Sequence, residues 1–363
     1  MKTYIVKDYY DSTKKNIKLH IDNDTLVRVE DSTEETDLLL FPAFIDIHTH
    51  GFKGYSTECN HEELLELALA YQSRGIGGFV ATVGPRSYEE YEKIFDLYRM
   101  TFSGHYPGAR FLGFHLEGPH LNKNKHGAID PNNIYDINLH DFKLFIEKNK
   151  DVIKIISIAP EIENAIEAIQ LLTKYGIIAS AGHTAANFDE TEIAIKSGLS
   201  HVTHTFNAMN SLHHRDPSLL TSVLLNDHVK CELIADGFHV NTNVIRLIKK
   251  LKPIETILIV SDSGEESGWT YPTGHQFQNG NIVNHGAIIQ PDGVIAGSTK
   301  DILASIKDLV IEGVFNIDEI PLICSKNAAE SLKFIYPQLH NNSLSFYTIV
   351  NKDFEIIDCL ISK

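Results

Sequence analysis

Ala43-Phe44-Ile45-Asp46-Ile47-His48-Thr49-His50 is a short apolar run that ends on two histidines spaced two apart. It decides the fold because runs of its type recur along the chain. Residues 77–83, 110–114, 153–159, 176–180, 200–202, 230–235 and 256–260 are rich in Ile, Val, Leu or Phe, which makes eight such runs with 43–47. Continuous apolar runs of this length suit strands buried on both faces, as in parallel sheets. Between them, residues 62–74, 87–100, 139–149, 162–175, 189–197, 217–226, 241–251 and 299–310 have helical periodicity. In the first of these, Leu64, Leu65, Leu67, Ala68 and Tyr71 share one face. Eight strands alternating with eight helices predict an α/β fold, a (β/α)8 TIM-like barrel. A doubly wound open sheet is the structural alternative, and the absence of G-x-G-x-x-G after the first strand disfavours it.

The ends of the chain read differently. Residues 4–10, 16–21 and 26–30 alternate as antiparallel strands do, and so do 346–351 and 355–361. They predict a small β-sandwich domain formed by both chain termini, 1–42 with 330–363, beside a barrel over 43–329. Residues 274–297 read as a hairpin turning at Pro291-Asp292-Gly293, inserted between the last barrel strand and the last helix.

With 363 residues, 43% hydrophobic and 22% charged, the chain has ordinary globular composition. A net charge of -16 is repelled by phosphate backbones and anionic lipid, which argues against nucleic acid or membrane as partner. Cys59, Cys231, Cys324 and Cys359 form no C-x-x-C pair, so neither a zinc knuckle nor a disulfide framework is indicated. No leader-like apolar stretch follows Met1 and no apolar run reaches about 20 residues, so a cytoplasmic protein is expected.

The chemistry lies where the strands end. The first runs into His48 and His50, the third into Glu117, the fifth into His183, the sixth into His204 and the eighth into Asp262. Strand residues two apart share a face, so His48 and His50 point the same way. All strand C-termini of a barrel open on one side, where its active site is built. A lone histidine or carboxylate at a strand end is usually a packing or capping residue, but convergence of this many metal-ligand types predicts a metal site. Nitrogen and oxygen donors without thiolate suit a divalent zinc, iron, manganese or cobalt ion. Such an ion activates water against a carbonyl. A base must then take the water proton and return it to the leaving group, and Asp262 is the candidate. The reaction class is metal-assisted hydrolysis of an amide or related bond.

These strings resemble the N-acetylglucosamine-6-phosphate deacetylase family of the amidohydrolase superfamily. The resemblance rests on Pro42–Gly51 with its H-x-H, on His115-Leu116-Glu117-Gly118-Pro119, and on Gly182-His183-Thr184. Thr203-His204-Thr205-Phe206-Asn207-Ala208-Met209, Ala235-Asp236-Gly237-Phe238-His239-Val240, Ser261-Asp262, Ala296-Gly297-Ser298 and Asn327-Ala328-Ala329 complete it. It implies that Glu117, His183 and His204 are the principal metal ligands. It also implies that His48 and His50 match a pair that holds a second ion in some members, giving one or two ions per subunit. Asp262 matches the catalytic acid/base. Asn207, Ala208, Arg215 and His239 match residues that contact a sugar phosphate, a contact shared across a homodimer interface. The guanidinium of Arg215 is chemically suited to phosphate oxygens.

Three places depart from the family pattern. Ile129 stands where a G-A-H string places a substrate-contacting histidine, with His126 three residues earlier as a candidate substitute. Ser263 follows Asp262 in place of alanine, and Phe52-Lys53-Gly54-Tyr55-Ser56 replaces the usual glycine-rich loop. The implied reaction is removal of acetyl from N-acetylglucosamine 6-phosphate. The alternatives are the same chemistry on N-acetylgalactosamine 6-phosphate or another N-acyl amino-sugar phosphate, a different amidohydrolase such as a deaminase or cyclic-amide hydrolase, and a non-catalytic phosphosugar-binding relative.

Overall fold

The computed structural model describes residues 1–337, 339 and 345–361. Among these, eight parallel strands form one sheet: β1 (Phe44–Thr49), β2 (Ile76–Val83), β3 (Arg110–Glu117), β4 (Ile153–Ile158), β5 (Ile178–Ala181), β6 (Leu199–Val202), β7 (Lys230–Ile234) and β8 (Ile257–Val260). Each strand pairs with its sequence neighbours, as barrel topology requires. All residues of β1, β2 and β8 are buried, which is why they read as largely apolar runs.

The helices are α1 (His61–Gln72), α2 (Tyr88–Thr101), α3 (Leu139–Asn149), α4 (Ala165–Lys174), α5 (Phe188–Lys196), α6 (Leu219–Leu225), α7 (Thr242–Leu251) and α8 (Ile302–Ile311), followed among the described residues by a short ninth, α9 (Asn327–Leu332). Capping boxes Asn60/Glu63, Ser87/Glu90 and Asn187/Glu190 start α1, α2 and α5 by satisfying backbone N–H groups that have no partner within the helix. The helix α4 begins later than its periodicity predicts, because Asn164 is left-handed, with φ 65°. The helix α8 also starts late, at the cap where the Asp301 side chain accepts from Ala304 N. Packing between helix and strand is aromatic where α2 meets β3: Phe95 and Tyr98 lie 4.5 and 4.6 Å from the Phe114 ring.

The barrel closes between β8 and β1 just beyond the end of β8. Asp262 N donates to His48 O (2.9 Å) and His50 N to Ser263 O (2.7 Å). Asp46, fully buried on β1, accepts from Ser261 Oγ at 2.5 Å and from His48 N at 3.2 Å. The seam that closes the fold therefore also sets His48, His50 and Asp262 side by side.

Strands from both ends of the chain form a separate mixed six-stranded sheet, in the order 356–361, 346–350, 39–42, 2–8, 16–22, 25–31. Residues 338, 340–344 and 362–363, part of the expected terminal segment, lie outside the described residues. The insertion is more elaborate than one hairpin. Ile282–Asn284, Ala287–Ile289 and Ile295–Ser298 make a three-stranded antiparallel sheet. The expected turn at 291–293 is present, closed by Gly293 N to Gln290 O at 2.9 Å. A second turn falls at His285-Gly286, both with positive φ. Among the described residues no helix is long and apolar enough to cross a membrane.

Candidate metal centre

Six side chains meet at the C-terminal mouth of the barrel. His48 is in β1 and Glu117 ends β3. His183, His204 and Asp262 follow β5, β6 and β8, and their backbones have φ of 47°, 28° and 47°. Left-handed backbone at a residue with a Cβ costs roughly 1 kcal/mol or more, and it persists where surrounding structure holds it. Here it accompanies side chains that meet Glu117 (His183 and His204) and His50 (Asp262).

Glu117 is the hub. Its Oε1 lies 3.0 Å from His183 Nε2 and 3.0 Å from His204 Nε2, and those two nitrogens are 3.1 Å apart. Its Oε2 is 3.3 Å from His50 Nε2, and its Oε1 is 3.8 Å from His48 Nε2. Asp262 Oδ1 stands 3.3 Å from His48 Nε2 and 3.4 Å from His50 Nε2. Among the described residues three groups of ligand-type residues result: Glu117/His183/His204 and His48/His50/Glu117, which share the carboxylate of Glu117, and a fully buried third, His48/His115/Glu232, which shares His48 with the second.

The residues fit a cation. His48 Nε2 is buried, has no hydrogen-bond partner and faces two carboxylates. His183 Nδ1 bonds Lys125 O at 2.8 Å, which leaves its Nε2 to the centre. Burial opposes charge on Glu117, yet His183, His204 and His50 hold it well below the usual carboxylate range. Burial likewise opposes the Asp262 anion, and His48 and His50 keep its pKa depressed. In return, and against burial, Asp262, Glu232 and Glu117 push His48 up to about 9, while Asp262 and Glu117 push His50 up to about 10. A cluster this rich in buried carboxylate requires positive charge, which a divalent ion can supply in place of protons.

No family model matches the chain. It is 30% identical over 307 residues to the N-acetylglucosamine-6-phosphate deacetylase of Lysinibacillus sphaericus, an alignment that covers 84% of this chain and 79% of the relative. The chain belongs to the N-acetylglucosamine-6-phosphate deacetylase family. The N-acetylgalactosamine-6-phosphate deacetylase of Escherichia coli O157:H7 is 28% identical over 281 residues, 77% of this chain and 74% of that one. The crystal structure of the Thermotoga maritima N-acetylglucosamine-6-phosphate deacetylase superposes with a TM-score of 0.84 at 27% identity, over 98% of this chain and 97% of that one.

In this deacetylase-family barrel, a cavity of about 770 Å³ opens above the cluster, and Asn207, Ala208 and His239 line it with His50, Glu117, His183, His204 and Asp262, while His48 is buried and does not. His239 Nδ1 pairs with Asp236 Oδ2 at 2.8 Å. Burial works against its charge, but Asp236 outweighs that and raises the imidazole pKa above its ordinary value. Arg215 is exposed in the loop before α6 and is not among the residues lining the cavity. His126 does not line it either, its Nδ1 being bonded to Ile129 O at 2.8 Å, whereas Ile129 does line it. Ser263 is buried, donates to Gly51 O at 2.8 Å and lies 2.9 Å from Thr49 Oγ1, so its hydroxyl serves the barrel seam. Phe52 packs on Tyr71 at 5.7 Å, away from the cavity.

Two buried residues have no role in the sequence reading, where His115 stands only as the first residue of the His115–Pro119 string and Glu232 in none. His115, two before Glu117 on β3, bridges Ile47 O (3.0 Å) and Ser157 Oγ (2.8 Å) below the centre. Glu232, on β7, accepts from His48 Nδ1 at 2.9 Å. A lone carboxylate within the apolar run Cys231-Glu232-Leu233-Ile234 was the available signal, because a buried charge requires a partner.

Proposed function

We propose that the protein hydrolyses the acetamide of N-acetylglucosamine 6-phosphate, giving glucosamine 6-phosphate and acetate. The observation that carries this is Asp262: a carboxylate in the cavity lining, within 3.4 Å of both first-strand histidines, which against burial hold its pKa below the usual carboxylate range. It can accept a proton from an attacking water and deliver it to the departing amine, which is otherwise a very poor leaving group. A pure phosphosugar binder has no use for such a group, which favours an enzyme over a binding protein.

Glu117, His183 and His204 would hold one zinc, iron, manganese or cobalt ion, and His48 with His50 and Glu117 a second. When bound, a divalent ion in such a site polarises a carbonyl and makes water a better nucleophile. Asn207, Ala208 and His239 would seat the sugar phosphate, with the raised pKa of His239 favouring an imidazolium against the phosphate. Arg215, exposed and outside the cavity of its own chain, would reach the phosphate of a second copy, so the reading includes a homodimer. It assigns catalysis to residues 43–329, keeps 1–42 with 330–363 as the small β domain, and places the protein in the cytoplasm.

The name of the E. coli relative, together with Ile129 in the lining, favours one second reading: the same cleavage on N-acetylgalactosamine 6-phosphate. Acetate release from both epimers, with and without added metal, tests the two.

A further inference from the structure

Glu232 lies in β7 with no exposed surface, and its carboxylate reaches across to His48 on β1 and to the backbone after β6. A single oxygen, Oε2, receives both His48 Nδ1 at 2.9 Å and the backbone N of His204 at 3.2 Å. Its own backbone carbonyl accepts from Thr205 N at 2.8 Å. An ionised carboxylate only accepts, so the proton of this bond sits on His48 Nδ1. Nε2 is the ring nitrogen that faces Glu117 and Asp262, and its lone pair is available to an ion that takes the place of the second ring proton. That nitrogen is buried and unpartnered, which is the state of a ligand atom prepared in advance.

We infer that Glu232 is a positioning residue for the metal centre: it fixes the ring and tautomer of His48 so that the His48/His50/Glu117 position can take an ion, and through the His204 backbone it holds the neighbouring position in register. The inference rests on the metal-dependent reading above. Outer carboxylates of this kind typically contribute about 10- to 100-fold in metal affinity.

The test is calorimetric titration of metal-free protein with cobalt(II), with metal content per subunit measured after dialysis. The parent is expected to take up two ions. Glu232→Met should lose the second, or bind it about 10- to 100-fold more weakly, while its melting temperature reports that it is folded. Glu232→Gln offers a carbonyl oxygen to the same two donors and should restore most of the second uptake. In a His48→Ala background, Glu232→Met should weaken the second uptake no further, because its target is gone; a purely structural role would give additive losses. Parental cobalt binding in Glu232→Met, additive losses in the double variant, or a parent that takes up one ion regardless of His48 would each overturn the inference. Acetate release by the parent is scored separately, so failure of the deacetylase reading is distinguishable from failure of the Glu232 assignment.

Discussion

Asp262 Oδ1 stands 3.4 Å from His50 Nε2 across the seam where the eighth barrel strand meets the first. The contact depends on closure of the barrel: His50 N donates to the carbonyl of Ser263, the residue after Asp262, at 2.7 Å. Asp262, the proposed general base, and the first-strand histidines are therefore held by the hydrogen bonds that complete the fold.

The exposed position of Arg215 yields a complementation test. Arg215→Ala should raise KM for the sugar phosphate roughly 10- to 100-fold, the worth of a charge-assisted hydrogen bond, and change kcat far less. If Arg215 serves the neighbouring copy, mixing Arg215→Ala subunits with Asp262→Asn subunits should, at low substrate concentration, give more activity than the two variants summed. Steady-state rates of the re-associated mixture check this, and a mixture no better than its parts would place Arg215 outside the phosphate contact.

His239 gives a pH signature. Asp236 keeps its pKa above the ordinary histidine value despite burial. Phosphate binding through the imidazolium is therefore full below that raised pKa and is lost as pH rises through it, so KM should climb on the alkaline side. In His239→Asn, KM should be high throughout and lose that dependence. KM profiles of the two proteins decide the matter.

Glu161 ties down the loop that carries His183. It accepts from Thr184 Oγ1 (2.5 Å), Ala185 N (2.6 Å) and Asn122 Nδ2 (2.8 Å). Glu161→Ala strands these donors and should destabilise the protein by about 1–3 kcal/mol. Because His183 loses its support, cobalt affinity should fall as well. Thermal melting and metal titration of one preparation measure both effects.

Much of this molecule is legible in its sequence, for a physical reason. Strands buried on both faces must be apolar along their length, so β1 through β8 appear as eight runs, and a barrel gathers whatever polar residues end them. Glu117, His183, His204 and Asp262 were readable for that reason. The features that were not readable depend on cross-chain geometry. Glu232 sits inside a strand rather than at its end, and only the fold brings it to His48, 184 residues earlier. The second turn of the insertion, at His285-Gly286, has no proline-glycine signal of the kind that marks 291–293. The exposure of Arg215 follows from the course of its loop, which local sequence does not encode.

The most direct test of the deacetylase reading is acetate release from N-acetylglucosamine 6-phosphate by metal-loaded parent and Asp262→Asn proteins, with sugar-phosphate binding measured on both. The parent should release acetate. Asp262→Asn should bind the sugar phosphate, yet turn over about 100- to 10,000-fold more slowly, the usual contribution of a general acid/base. A parent that releases no acetate, or an Asp262→Asn protein with near-parental kcat, would contradict the account.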